Sequence, residues 1–164
     1  MGKRYHPSLV VLPRQARLDR LVRVLPIAQA REANGITVQA LAFEMYTTGF
    51  VVTFQAQSHG AVLLIDKRPT LTLDVTDDRE RQYLALLYGA SREGARNDWQ
   101  WRLAYRCAPA LDPRTEVLLI TILAMEWQLP DPKRQIYVPV STVAGPWAFE
   151  IPLSPSMDIV PVSP

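Results

Sequence analysis

Between Trp99 and Cys107 the chain alternates. Trp99, Trp101, Leu103, Tyr105 and Cys107 are apolar, and Gln100, Arg102, Ala104 and Arg106 fall between them. A helix turns once in 3.6 residues and cannot gather those five side chains on one face, whereas a strand of period two must. The segment therefore predicts a strand with one buried and one wet side. Leu71, Leu73 and Val75 alternate with threonines and Asp74 in the same way, as do Trp147, Phe149, Ile151 and Leu153 with Ala148, Glu150 and Pro152. Trp99, Trp101, Leu103, Tyr105, Leu71, Leu73, Phe149 and Ile151 are the expected core.

Other segments read as strands by composition. Ile36–Tyr46 and Phe50–Gln57 are rich in β-branched and aromatic residues, with Thr47-Thr48-Gly49 as a tight turn between them. Asn34-Gly35 is a strong hairpin signal, which makes residues 21–33 a first strand. Arg81–Tyr88, Val117–Gln128, Ile136–Val140 and Trp147–Leu153 complete about nine. Turns every 8–12 residues point to an all-β antiparallel sandwich or barrel. Pro26 inside the first strand favours the sandwich, with its two halves expected on different sheets. Ala108–Pro113 is too stiff and irregular for a hairpin and reads as a crossover between sheets.

The ends differ from the middle. Residues 1–23 hold six basic side chains against Asp19 alone, a net of +5, while the rest of the chain holds 12 basic and 15 acidic residues. The expected division is a basic N-terminal arm over 1–20, a sandwich over 21–153 and a proline-rich extended tail over 154–164. An amphipathic helix with Leu18, Leu21, Val22 and Leu25 on one side competes with an extended arm. With 48% hydrophobic residues in 164, the sandwich needs no staple from metal or disulfide, and Cys107 is the only cysteine. The longest apolar runs fall far short of the ~20 residues of a membrane helix, and the N-terminus lacks the apolar core of a secretory signal. No membrane span and a cytoplasmic location are the expectations.

Asn34–Val38, Leu73–Asp78 followed by Tyr83, Pro109–Leu111 before a long strand, and Gly145–Leu153 are similar to phrases of bacterial immunoglobulin-like sandwich domains of unknown function. Some of those domains stand alone, and others form the outer part of anti-sigma-factor-like membrane proteins. The resemblance spans residues 21–153 and implies an immunoglobulin-like sandwich of 8–9 strands serving non-catalytic recognition or assembly.

Catalytic signatures are missing. His6 and His59 have no neighbours at metal-ligand spacing, and neither a phosphate-cradling loop nor a nucleophile elbow occurs. Neither catalytic residue, metal nor cofactor is expected, and a small-molecule ligand is not anticipated. Cys107 lies on an apolar strand face, where a thiol is packing. Asp77-Asp78-Arg79-Glu80 reads as a solvated turn, since its spacing matches no calcium loop. Trp99, Trp101 and Tyr105 would form a sugar platform only if Arg102 and Arg106 were buried instead, so the core is the favoured place for them. The candidate partner-binding residues are Lys3, Arg4, Arg14, Arg17 and Arg20 of the arm, with Arg92 and Arg96 of a loop over Gly89–Asp98. The leading function is protein–protein contact or self-assembly through edge strands and termini. Nucleic-acid binding by the arm, and carbohydrate binding by surface tryptophans, are the alternatives.

Overall fold

A computed structural model describes residues 20–58, 68–93 and 99–153. The described residues form eight strands: β1 (Leu21–Ala33), β2 (Ile36–Tyr46), β3 (Gly49–Ser58), β4 (Pro69–Asp77), β5 (Leu84–Glu93), β6 (Trp99–Ala108), β7 (Val117–Asp131) and β8 (Ile136–Pro152). They form two antiparallel sheets, ordered β1-β2-β3-β6-β5 and β4-β7-β8, packed as a sandwich. With β1 set aside, this is the strand order of a constant-type immunoglobulin sandwich, and β1 is an addition to it.

The alternation read from the sequence sets the faces. Trp101, Leu103, Tyr105 and Cys107 of β6 are buried, and Arg102 points away. Phe50, Val52, Phe54 and Ala56 of β3 face the same interior and meet Leu118, Ile120, Ile122 and Met125 of β7 in one cluster. The Phe54 and Phe149 rings, from opposite sheets, lie 5.8 Å apart. Of the expected core, Leu71, Trp101, Leu103, Tyr105, Phe149 and Ile151 are buried and Leu73 packs against them half-buried. The Trp99 side chain lies outside the described residues.

Turn chemistry is where the sequence placed it. Asn34 (φ 49°) and Gly35 (φ 78°) both take left-handed backbone, as a two-residue hairpin of this hand requires. Thr47-Thr48 joins β2 to β3, and residues 109–116 carry the chain from the first sheet to the second.

Four expectations are corrected. The two halves of β1 do not part: the strand pairs with β2 throughout, and Pro26 is absorbed by a bulge between Pro26 and Gln29. Ile136–Val140 and Trp147–Leu153 are one strand, because bulges opposite Ile122/Ala124 and Trp127/Gln128 let a single long hairpin bend rather than break. Residues from Leu21 onward are strand, so the competing helix does not extend into them. The expected loop over Gly89–Asp98 begins later, since Gly89–Glu93 pairs with β6.

The described chain begins and ends at one pole. Arg20 accepts a hydrogen bond from Thr47 N–H through its carbonyl, Leu153 N–H donates to Glu116, and Arg23 Nη1 donates to the Leu153 carbonyl at 2.8 Å. Asn34-Gly35 and the β7–β8 tip occupy the other pole.

Close packing gives one direct prediction. A Cβ on Gly145 would stand 2.4 Å from the Ile122 carbonyl oxygen and 3.0 Å from the Trp147 ring. Gly145→Ala is expected to cost about 1–3 kcal/mol, as forced overpacking does. Gly89→Ala, which meets nothing within 4 Å, should stay within about 0.5 kcal/mol of the parent. Urea melts of the two variants check the contrast.

Candidate functional site: the sheet edges

A sandwich of two open sheets has four edge strands, and each exposes unpaired backbone groups that can recruit another chain. Here the edges are β1 and β5 in one sheet and β4 and β8 in the other.

The β1–β8 flank is closed by side chains. Register puts Arg23, Gln29 and Arg31 on the inward side of β1, opposite the half-buried Met45 and the buried Ala40 and Val38 of β2. At an edge, inward means across to the other sheet. Gln29 Nε2 donates to the Glu150 carbonyl at 2.7 Å, Arg31 Nε to Ala148 at 3.0 Å and Asn34 Nδ2 to Ala144 at 2.6 Å. With Arg23 on Leu153, three carbonyls of β8 and one just past its end are taken. The Arg31 guanidinium also lies 5.7 Å from the centre of the Phe149 ring.

The opposite flank starts closed and then opens. Tyr83 N–H donates to Val75 at 2.9 Å, and Thr76 bridges Gln82, so β4 and the entry to β5 touch. Below this contact sits Asp77, only 2% exposed, so the solvated reading of its turn holds for the exposed Asp78, Arg79 and Glu80 and is corrected for Asp77 alone. Its Oδ1 accepts the N–H groups of Arg79 and Arg81 at 2.9 and 3.0 Å. Its Oδ2 accepts the Tyr83 hydroxyl at 2.6 Å and the Thr115 hydroxyl at 3.3 Å. Burial alone would raise the carboxyl, but the Tyr83 hydroxyl and the two backbone donors outweigh it and hold the group below its usual 3.8. One carboxylate thus locks the β4–β5 turn to the crossover before β7.

From Leu84 onward β5 pairs, among the described residues, with β6 alone. Leu84 and Tyr88 are more than half exposed on this strand. A bulge at Tyr88, between Leu87 and Gly89, ends the regular stretch, so four residues, Leu84–Leu87, present an even edge. Tyr88 is propped by Arg106, whose guanidinium lies 5.1 Å from the ring centre. The neighbouring Tyr46 donates its hydroxyl to Glu44 at 2.8 Å, and that carboxylate pushes the phenol up to about 12. A shallow depression of about 270 Å³ lies on the same sheet face, lined by Thr53, Gly89, Ala90, Ser91, Arg102 and Ala104. Its single charge, Arg102, already faces Glu93 at 3.5 Å.

The expected site residues scatter. Lys3, Arg4, Arg14, Arg17 and Arg96 lie outside the described residues, as do His6 and His59. Arg20 precedes β1 and is exposed, and Arg92 lies exposed within β5, not in a loop. Trp101, Trp127 and Trp147 are buried, which removes them as a sugar platform. Cys107 is buried and its thiol is pushed up to about 12 by that burial. No group of three or more His, Cys, Asp or Glu stands together among the described residues. Sequence reading missed β5 as an edge. The signal was available in Leu84, Leu86 and Tyr88, which are apolar at alternate positions of a strand whose other side, Ala85 and Leu87, is apolar as well.

No family model matches the sequence, and no curated protein matches it. Among solved structures it is similar to the crystal structure of the conserved domain protein from Bacillus anthracis, with a TM-score of 0.57 and 14% sequence identity. The match covers 80% of this chain and 48% of that one, so this chain spans about half the length of the structure it resembles. What the two share is the fold, a sandwich of two antiparallel β-sheets.

Proposed function

We propose that the chain is a non-catalytic, immunoglobulin-like module for protein–protein contact, built to join a further strand or a second copy along β5. The observation that carries this reading is the asymmetry of the edges. The β1–β8 flank spends four side chains covering backbone carbonyls, whereas among the described residues no strand pairs with the outer side of Leu84–Leu87, and Leu84 and Tyr88 are exposed. Natural sandwiches blunt such edges with proline, lysine, inward charge or a bulge, and Leu84–Leu87 carries none of these, the bulge coming only after it at Tyr88. Strand addition gives affinity through main-chain hydrogen bonds and specificity through alternate side chains.

Sedimentation velocity across a wide range of concentration tests it. The full chain should exceed the 18.5 kDa of one copy as concentration rises, and Leu84→Lys with Tyr88→Lys should weaken association at least tenfold. Both positions are exposed, so the melting temperature should hardly move. A single-copy mass at every concentration, or association indifferent to the two lysines, would overturn the reading.

A further inference from the structure

The outer face of the larger sheet carries a row of side chains that is complementary to its own reversal. Register sets Val24 of β1, Glu44 of β2, Val51 of β3, Arg106 of β6 and Leu86 of β5 side by side. Their neighbours in sequence, among them Leu25, Phe43, Val52, Tyr105 and Leu87, pack into or against the core, so these five point away from it. The order is apolar, acid, valine, base, apolar. Val51 stands at the centre, one strand spacing of ~4.8 Å from each charge. We infer that a second copy of the chain packs face to face on this sheet, about a twofold axis that runs along β3 over Val51.

Such an axis exchanges left for right across the strands. It sets Glu44 of the second copy over Arg106, and Val24 of the second copy over Leu86, each twice, as an isologous contact requires. A twofold running across the strands would instead stack Glu44 on Glu44 and Arg106 on Arg106, so charge selects between the two arrangements. The adjoining rows keep the match. Towards the pole where the described chain begins and ends, Leu21 meets Leu84, with the bulge residues Val22 and Tyr88 at the same two margins. All four, and Val24, are half exposed or more. On the other side the row Pro26, Ala42, Thr53, Ala104 and Gly89 is small and uncharged, which lets two sheets approach. It sets the exposed Pro26 over Gly89, in the lining of the shallow depression. Two rows further on Glu32 and Glu93 are like charges, and they bound the contact there. At the centre, the Arg106 guanidinium rests on the Tyr88 ring and its Nε is buried without a hydrogen-bond partner. A carboxylate brought over it supplies an acceptor, which the ring is not. This contact uses the sheet face and goes beyond the strand addition proposed for β5, whose outer backbone groups it leaves free.

Sedimentation of charge-exchanged variants tests it. Glu44→Arg and Arg106→Glu each set like charges over one another, and each should weaken association at least tenfold. Mixed in equal amounts the two should associate again, because every facing pair is then opposite in sign. Both changes in one chain should likewise restore the association of the parent. Val22→Lys with Val24→Lys should weaken association at least tenfold without moving the melting temperature, since both positions are exposed and lie at the margin away from β5. That pair keeps the test independent of how well the charge variants fold. Folded single variants that weaken and do not recover on mixing would overturn the twofold pairing. Association that ignores all four positions yet falls in Leu84→Lys with Tyr88→Lys would overturn the face contact and leave the β5 reading standing. A single-copy mass of the parent at every concentration would overturn the second copy as the occupant of this face.

Discussion

Asp77→Ala is expected to destabilise the protein by about 3–4 kcal/mol, since it strands the buried hydroxyls of Tyr83 and Thr115 at ~1–3 kcal/mol each and frees two turn N–H groups as well. Asp77→Asn keeps an oxygen for the turn donors and should cost clearly less. The same group predicts an acid limb. Its folded pKa lies below 3.8, so its contribution is complete above that value and is lost as pH falls through the lower folded one. Tyr83 acts in the opposite sense. Burial first, and the Asp77 carboxylate next, push its hydroxyl above 10.0, so the stability it lends is complete below pH 10 and declines as pH rises beyond. Urea midpoints at pH 3, 7 and 10.5 check both limbs. The parent should weaken at either extreme, and Asp77→Asn should lose much of its acid limb. An Asp77→Ala variant within about 1 kcal/mol of the parent would mean that water replaces the carboxylate at no cost.

Trp147→Ala should be as severe, about 3–5 kcal/mol, because the ring is fully buried and its removal leaves a cavity between the sheets. Its Nε1–H also donates to the Ile36 carbonyl at 3.0 Å, which ties β8 to the first residue of β2. Trp147→Phe separates the two effects. It restores most of the volume but leaves that carbonyl unpaired, and should cost about 1–3 kcal/mol. Chemical denaturation followed at the remaining tryptophans gives both values. Equal losses for Phe and Ala would show that the hydrogen bond, not the volume, matters at this position.

Periodicity made the sandwich legible. The alternation in Trp99–Cys107 fixed which side of β6 is buried, and Asn34-Gly35 located the hairpin to the residue. What stayed hidden shares one cause: sequence reading assigns charge to solvent. Asp77 has three polar neighbours and so reads as exposed, yet the donors around it arrive from Tyr83 and Thr115, the latter 38 residues away. Arg23, Gln29 and Arg31 are polar and yet point inward, because at the margin of a sheet inward leads to the backbone of the other layer. The fate of Pro26 was misread for a related reason. A proline marks an irregular ladder, but only the partner strand decides whether that irregularity is a bulge or a break. The open side of β5 was hinted at only by Leu84, Leu86 and Tyr88, since whether that strand is an edge depends on the second sheet having three strands where the first has five among the described residues.

The shared pole of residues 20 and 153 governs how this molecule bears load. Tension applied between those two points pulls β1 and β8 away from their neighbours starting at one end, so the ladders are loaded one rung at a time. Such a geometry peels at low force, unlike one in which the chain leaves from opposite poles and every rung is sheared together. The side-chain rungs of Arg23, Arg31, Gln29 and Asn34 would part in sequence from that pole upward. As a link under strain the domain is a weak one.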